Sequence, residues 1–493
     1  MKNQIVLINV ICSLLEQLVV TICGFILPRL IINVFGSEVN GLISSLTQFL
    51  SYISLLEGGL TGVVAANLYK PLASGDNVLL SRVVKTASSF YKKIAFLFFC
   101  YTVLVAFVYP LIVKTHFSFS YICTFTFILS INFIVQYLFA ITWKTLLVAD
   151  KKGYFVSLTY IFVVILNTCI SCVIIHFYKN IRFVKFISAT IYLIQPVAYH
   201  LFVKKHYKII KDVDADNALL SQRWDGFAIN IAAFIHNNTD VIVLTLMASL
   251  SDVSVYTVYL LVVNGLKSIV MSVSNAIVPS VGIAYAKGNN DELNRAFDKY
   301  ELVILYLSFF LFSVGGICIT SFVKLYTSGI TDYNYNQPVF GWLLVVSELI
   351  YCVKEPYLML AYSANKFKDF KFAAYTEAVI NICLSIVFVK FLGIIGVAIG
   401  TLVAMTFRTV YQILYLHHHI LERSIIRLFK GILFYTIGMI IIIYISSIFF
   451  LEPDNTILGW ILYAVKNSIL ALTILGIISI FIYKINQRKV IKK

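Results

Sequence analysis

About fourteen stretches of roughly 20 apolar residues, divided by short polar breaks, decide what this chain can fold into. Hydrocarbon offers no hydrogen-bond partners, so each stretch must satisfy its own backbone N–H and C=O groups, which only helices and closed barrels do. Barrel strands alternate polar and apolar residues and these stretches do not, so an all-α polytopic membrane protein is predicted. The expected spans are 8–33, 41–67, 94–113, 119–141, 154–177, 183–203, 226–248, 254–284, 301–323, 340–362, 371–390, 394–416, 431–450 and 457–483. The N-terminal apolar stretch is too long for a signal-peptide core and has no small-residue cleavage site, so it reads as a retained first helix.

An even number of spans puts both termini on one side, and the basic residues say which. Of the 39 Lys and Arg, 28 fall in the segments on the side of the termini, 6 in the opposite loops and 5 within spans. The positive-inside rule then predicts cytoplasmic termini. Orientation and anionic lipid account for the net charge of +16, and no nucleic-acid partner is needed. The loops are short, which leaves no room for a soluble catalytic domain. Asn77 to Lys93 reads as an amphipathic helix on the inner surface, with Leu79, Val83, Ala87 and Phe90 at helical spacing.

The chain also repeats itself. A shift of 214 residues lays GSEVNG (36–41) on LSDVSV (250–255), matching Ser37, Glu38 and Val39 to Ser251, Asp252 and Val253. A shift of 213 lays ASGDNVLLSR (73–82) on AKGNNDELNR (286–295), and 214 returns with LNTCIS (166–171) on INICLS (380–385). Two copies of a six-helix unit are therefore expected, 1–212 and 213–425, with 426–493 holding two further helices and a basic tail. The offset covers an even number of spans, so the copies share one orientation and their pseudo-two-fold runs along the membrane normal. Parallel repeats of this kind are a transporter plan.

No nucleotide-binding, zinc-protease or metal-cluster spacing is present, and no cofactor or metal is expected. The nine cysteines lie in apolar runs, and the Cys169–Cys172 pair reads as packing rather than redox chemistry. The histidines at 417–419 read as interfacial. What remains are ionisable residues inside spans, each costing roughly 2.5–3.5 kcal/mol on insertion and so a functional candidate. The basic set is Arg29, Lys267, Lys354, Arg408 and Lys466; the acidic set is Glu16, Glu57, Asp240, Glu348, Glu355 and Glu377. Arg29 can meet substrate or snorkel to the outer interface. Lys267 lies near the midplane and is expected to face a cavity. Lys354 and Glu355 precede Pro356, where a pairing can be structural or functional. Arg408 can snorkel inward, and Lys466 reads as structural. Glu57 stands in EGGLTG, and Asp240 ends the polar run HNNTD (236–240) that cannot face lipid. Cations suit a phosphate-bearing substrate. The acids can bind Na⁺ or H⁺ for coupling, or simply neutralise the cations, and the tally does not choose.

The two-lobed plan, with LPRLIINVFGSEVNGLISSLTQFLSYISLLEGGL (27–60) and the LYKPLASGD shelf (68–76), resembles the Wzx-type polysaccharide flippases of the multidrug/oligosaccharidyl-lipid/polysaccharide exporter superfamily. The resemblance implies a V-shaped, MATE-like pair of lobes in a bacterial plasma membrane. It implies undecaprenyl-pyrophosphate-linked oligosaccharide as substrate, moved from the inner to the outer leaflet for capsule or exopolysaccharide assembly. Partners would be membrane lipids and the polysaccharide polymerase and glycosyltransferases of the same pathway. The related lipid II flippases carry cavity arginines on their first, second and eighth spans. Arg29 and Lys267 fall on the first and eighth here, and span two has no Arg or Lys. The competing reading is an ion-coupled drug or cation exporter of the same superfamily. A membrane polymerase would want a large outer loop, and a scaffold gives no reason for a buried Lys or a repeat.

Overall fold

The protein is described by a computed structural model covering residues 2–491 except 58, 211, 217–218, 220–233, 235–237, 365 and 367. No strand occurs among the described residues. In chain order the helices are α1 (Lys2–Phe35), α2 (Ser37–Ser51), α3 (Ser54–Glu57), α4 (Leu60–Ser74), α5 (Asn77–Ile112), α6 (Phe119–Val135), α7 (Ile141–Ala149), α8 (Gly153–Tyr178), α9 (Ile181–Tyr192) and α10 (Ile194–His206). They continue with α11 (Asn238–Met247), α12 (Leu250–Ala286), α13 (Asn290–Tyr326), α14 (Pro338–Ser363), α15 (Lys371–Leu392), α16 (Ile394–His419), α17 (Ile426–Phe449) and α18 (Ile457–Ile491).

Eleven of the described helical stretches are long and apolar enough to cross a bilayer, and the chain is a multi-pass membrane protein. Three of the fourteen expected spans, the second, seventh and tenth, are not among these eleven. Span two, 41–67, is broken into α2, α3 and α4, with Gly59 in the left-handed region at φ +79°; Gly58 lies outside the described residues. In span seven, 226–248, residues 226–233 and 235–237 also lie outside them, His236 and Asn237 of its polar run included, and its second half is described as the ten-residue α11 (Asn238–Met247). Span ten is the unbroken 26-residue α14, made too polar by Glu348, Lys354 and Glu355.

Contacts group the chain into two compact units, Met1–Ser254 and Val255–Lys493. In the first unit, residues 77–93 do not form a separate helix on the membrane surface. They are the first half of the 36-residue α5. Leu80, Val83 and Ala87 are buried with Leu68, Leu146 and Tyr199 in one core. The segment after α10 covers the same face. The N–H of Ile210 donates to Ser81 Oγ and that of Asp216 to Thr86 Oγ1, each at 2.9 Å. Asn67 Nδ2 donates to the Leu219 carbonyl at 2.8 Å. An amphipathic face that could have met lipid has been given protein instead.

The internal echoes mark matching local structure. Gly75 and Gly288, 213 residues apart, sit at φ +71° and +69°, a conformation that costs other residues a steric clash. Each is followed by a helix cap: Asp76 accepts from the N–H groups of Val78 and Leu79, Asn289 from those of Asp291 and Glu292. The helices so started, α5 and α13, run 36 and 37 residues. In the third echo the matched Asn and Ser point inward and the matched Cys outward: Asn167, Ser171, Asn381 and Ser385 are buried, Cys169 and Cys383 exposed. Asp76→Ala and Asn289→Ala are each expected to lower stability by about 1 kcal/mol. Thermal unfolding in detergent measures it, and an unchanged midpoint in both would show that the caps do not stabilise the repeat.

Candidate functional site

The second unit gathers most of the candidate charges around α14, whose spacing puts Glu348, Tyr351 and Lys354 on neighbouring turns of one face. Lys267, halfway along the 37-residue α12, reaches this face: its Nζ is 3.0 Å from Glu348 Oε2 and 3.8 Å from the centroid of the Tyr351 ring. Lys354 Nζ approaches the same ring at 4.3 Å and touches Met405 Sδ of α16 at 3.9 Å. One aromatic ring thus serves two ammonium groups, its quadrupole offsetting part of what burial costs them. Glu355, on the next position of α14, accepts from Ser274 Oγ of α12 at 3.4 Å, and that hydroxyl lies 2.6 Å from Tyr300 OH of α13. Glu377 of α15 is ion-paired with Arg408 of α16, and both interact electrostatically with Lys354.

This cluster holds three cations and three carboxylates. Lys354, Glu355 and Glu377 are each 2% exposed or less. Charges so deep survive only when paired and hydrogen-bonded, because desolvation otherwise exceeds their attraction. The pairing also sets the chemistry available. An anion that reaches Lys267 competes with Glu348, and a cation competes with Lys267 for Glu348.

The sequence points to these six residues but not to what organises them. Tyr351, Ser274 and Tyr300 gave no signal as neutral residues in apolar helices, although Tyr351 lies three positions from both Glu348 and Lys354. A second polar cluster, where α13 begins and α16 ends, shows in the sequence only as the histidines at 417–419. There Arg423 pairs with Asp298 and, at 3.0 Å, with Glu301. Tyr357 donates to Glu301 and lies 3.3 Å from His417 Nε2.

The other candidates, Lys466 apart, lie in the first unit. Arg29 is exposed on α1, close to the Gly36 turn. Asp240 is buried on α11. Glu57 ends the four-residue α3, inside the broken span. Its carboxylate accepts from Thr61 Oγ1 and from Tyr137 OH at 3.2 Å, and Tyr91 OH is 3.0 Å from the Thr61 hydroxyl. Tyr137 sits in a π-helical turn, Gln136–Ala140, between α6 and α7. Two backbone irregularities therefore meet at one intramembrane carboxylate, and such irregularities concentrate at functional positions. Among the described residues, no basic side chain is ion-paired with Glu57. Glu16 is half-buried on α1, and Lys466 is exposed on α18.

The fold that carries these clusters is that of the MurJ and MATE transporters. A structure of the lipid II flippase MurJ in an inward closed conformation superposes with a TM-score of 0.74 at 15% identity, over 98% of this chain and 100% of that one. The MATE multidrug transporter DinF-BH gives 0.63 at 14% identity, over 85% and 97% of the two chains. The eukaryotic MATE transporter AtDTX14 gives 0.58 at 15% identity, over 83% and 93%. No family profile and no curated protein matches the sequence.

Proposed function

We propose that this protein is a flippase for a lipid-linked glycan, moving undecaprenyl-pyrophosphate-linked oligosaccharide repeat units from the inner to the outer leaflet by alternating access. The observation that carries the reading is Lys267. It is a cation at mid-membrane, 16% exposed at its side chain and held by Glu348 and Tyr351 where a diphosphate could compete for it. The MurJ likeness over nearly the whole chain supports a lipid-linked substrate. The membrane is a bacterial plasma membrane, with both termini cytoplasmic as the basic residues predict. The protein's partners are the polysaccharide polymerase and glycosyltransferases of the same pathway. Arg29, Lys354 and Arg408 complete the candidate substrate set, and the two repeats 1–212 and 213–425 are its moving halves.

Glu57 favours a second reading, an ion-coupled drug or cation exporter, since its carboxylate is bonded by hydroxyls and has no cationic partner among the described residues. Purified protein in vesicles separates the two. Flipping of a lipid-linked oligosaccharide with no transport of a cationic dye supports the first; the reverse result removes it. In the flippase reading Glu57 and Asp240 bind the coupling ion, Na⁺ or H⁺, with Glu348, Glu355 and Glu377 balancing the cations. Flipping is then expected to rise severalfold under an imposed Na⁺ or pH gradient and to lose that response in Glu57→Gln. Transport indifferent to both gradients would sink the coupling.

A further inference from the structure

A groove of about 480 Å³ opens on the first unit, away from every cluster described above. It runs along α6 past Ser120, Thr124, Phe127, Ile131 and Ile134, with Phe99 of α5 and Phe186 of α9 beside it. Its lining is mostly apolar and carries no charge. Arg182 stands one turn before Phe186 on the same helix face, its guanidinium 4.8 Å from the Tyr121 ring centroid. Lys185 adjoins Phe186 inside the span. Among the described residues, neither cation has a carboxylate within ion-pair distance, unlike Lys267 and Arg408. The Glu38 carboxylate at this end is engaged by Thr115 Oγ1 at 3.0 Å and the His116 N–H at 3.3 Å.

The sequence supplies an independent reason to look here. Only six Lys and Arg lie on the charge-poor side of the protein, and four of them, Lys114, Lys179, Arg182 and Lys185, fall in the two connections flanking α6 and the start of α9. Cations on that side work against the bias that orients the chain. Their grouping in the chain segments next to this apolar groove fits a ligand with a negative head and an apolar tail.

We infer that this groove is a binding site for an anionic diacyl phospholipid, with one acyl chain along α6 and the phosphate on Arg182 and Lys185. The length agrees. Ser120 to Ile134 is about 21 Å at a rise of 1.5 Å per residue. One leaflet contributes about half of a 30 Å hydrocarbon core. The groove therefore suits one acyl chain and its glycerol, and a long polyprenyl chain overruns it. Tyr121, under the guanidinium, holds Arg182 at headgroup level.

Native mass spectrometry of the full-length protein in detergent tests this. Phosphatidylglycerol is titrated against diacylglycerol with the same chains and against inorganic phosphate. Phosphatidylglycerol is expected to bind, and the other two to bind at least tenfold more weakly. The double variant Arg182→Gln/Lys185→Gln should weaken phosphatidylglycerol by about 30-fold, the combined effect of two cations near an anionic headgroup. Ile131→Trp, at a half-exposed position that an indole would fill, should weaken it comparably while leaving the melting temperature unchanged. Equal binding of diacylglycerol, parent-like binding by either variant, or displacement of phosphatidylglycerol by an equimolar polyprenyl phosphate would each overturn the assignment.

Discussion

The double variant Lys267→Met/Glu348→Leu is expected to be at least as stable as the parent protein and inactive in transport. A buried ion pair replaced by apolar side chains of similar volume is often neutral or stabilising by about 1–4 kcal/mol, because the desolvation cost disappears with the charges. Removing one partner is different. Lys267→Ala strands Glu348, whose side chain is 11% exposed, and should cost about 3–5 kcal/mol while leaving the protein in the membrane. In the flippase reading both forms should fail to support surface polysaccharide, since both lack the cation. The double variant separates the two roles the pair could have. A purely structural pair predicts full transport from a stable double variant. A substrate cation predicts a stable protein with no transport, and full surface polysaccharide from the double variant ends that idea. Melting temperature and vesicle transport on one preparation give both numbers.

Much of the fold was legible because membranes leave so few choices. Length and hydropathy located the spans, and the echoes at 213 and 214 marked positions with matching local structure. What the echoes meant locally was not legible. In GSEVNG only Gly36, at φ +90°, breaks the helix, and Ser37 already begins α2. Likewise Ser249 and Asp252 form a reciprocal cap at the start of α12, with Ser249 Oγ 2.7 Å from Asp252 Oδ2 and accepting the Asp252 N–H at 3.1 Å. The amphipathic pattern of 77–93 was real, but periodicity cannot say whether an apolar face meets lipid or protein. At the site, charge inside a span was signal enough to find Lys267, Glu348, Lys354 and Arg408. It could not find Tyr351 or Tyr137, because their roles come from a ring shared by two helices and from a π turn, neither of which leaves a composition signature.

Gly41→Ala should be among the most destabilising single-methyl changes available, while Gly62→Ala should be neutral or better. Both glycines are helical, so the difference tests packing and not backbone freedom. A Cβ built on Gly41 would lie 1.7 Å from the carbonyl oxygen and 2.5 Å from the carbonyl carbon of Leu250, atoms of the backbone that cannot rotate away. A Cβ on Gly62 meets nothing within 4 Å, and Ala gains about 1 kcal/mol over Gly in a helix interior. The close approach at Gly41 supports a set of buried hydrogen bonds: Asn40 Nδ2 donates to Ser254 Oγ at 2.8 Å, and Ser45 Oγ accepts from Tyr109 and from Thr245, each at 2.8 Å. Pushing α2 away from Leu250 strains or breaks these bonds, and each polar group left buried without a partner costs about 1–3 kcal/mol. Overpacking alone costs about 1–3 kcal/mol, so a loss of about 3 kcal/mol or more is expected for Gly41→Ala. Small residues at such positions let membrane helices approach closely enough for polar contacts to form. The 214-residue equivalent of Gly41 is Val255, so the repeat keeps the helix start in both copies and the close approach in one. Equal melting temperatures for the two alanine variants would refute the contact between α2 and the start of α12.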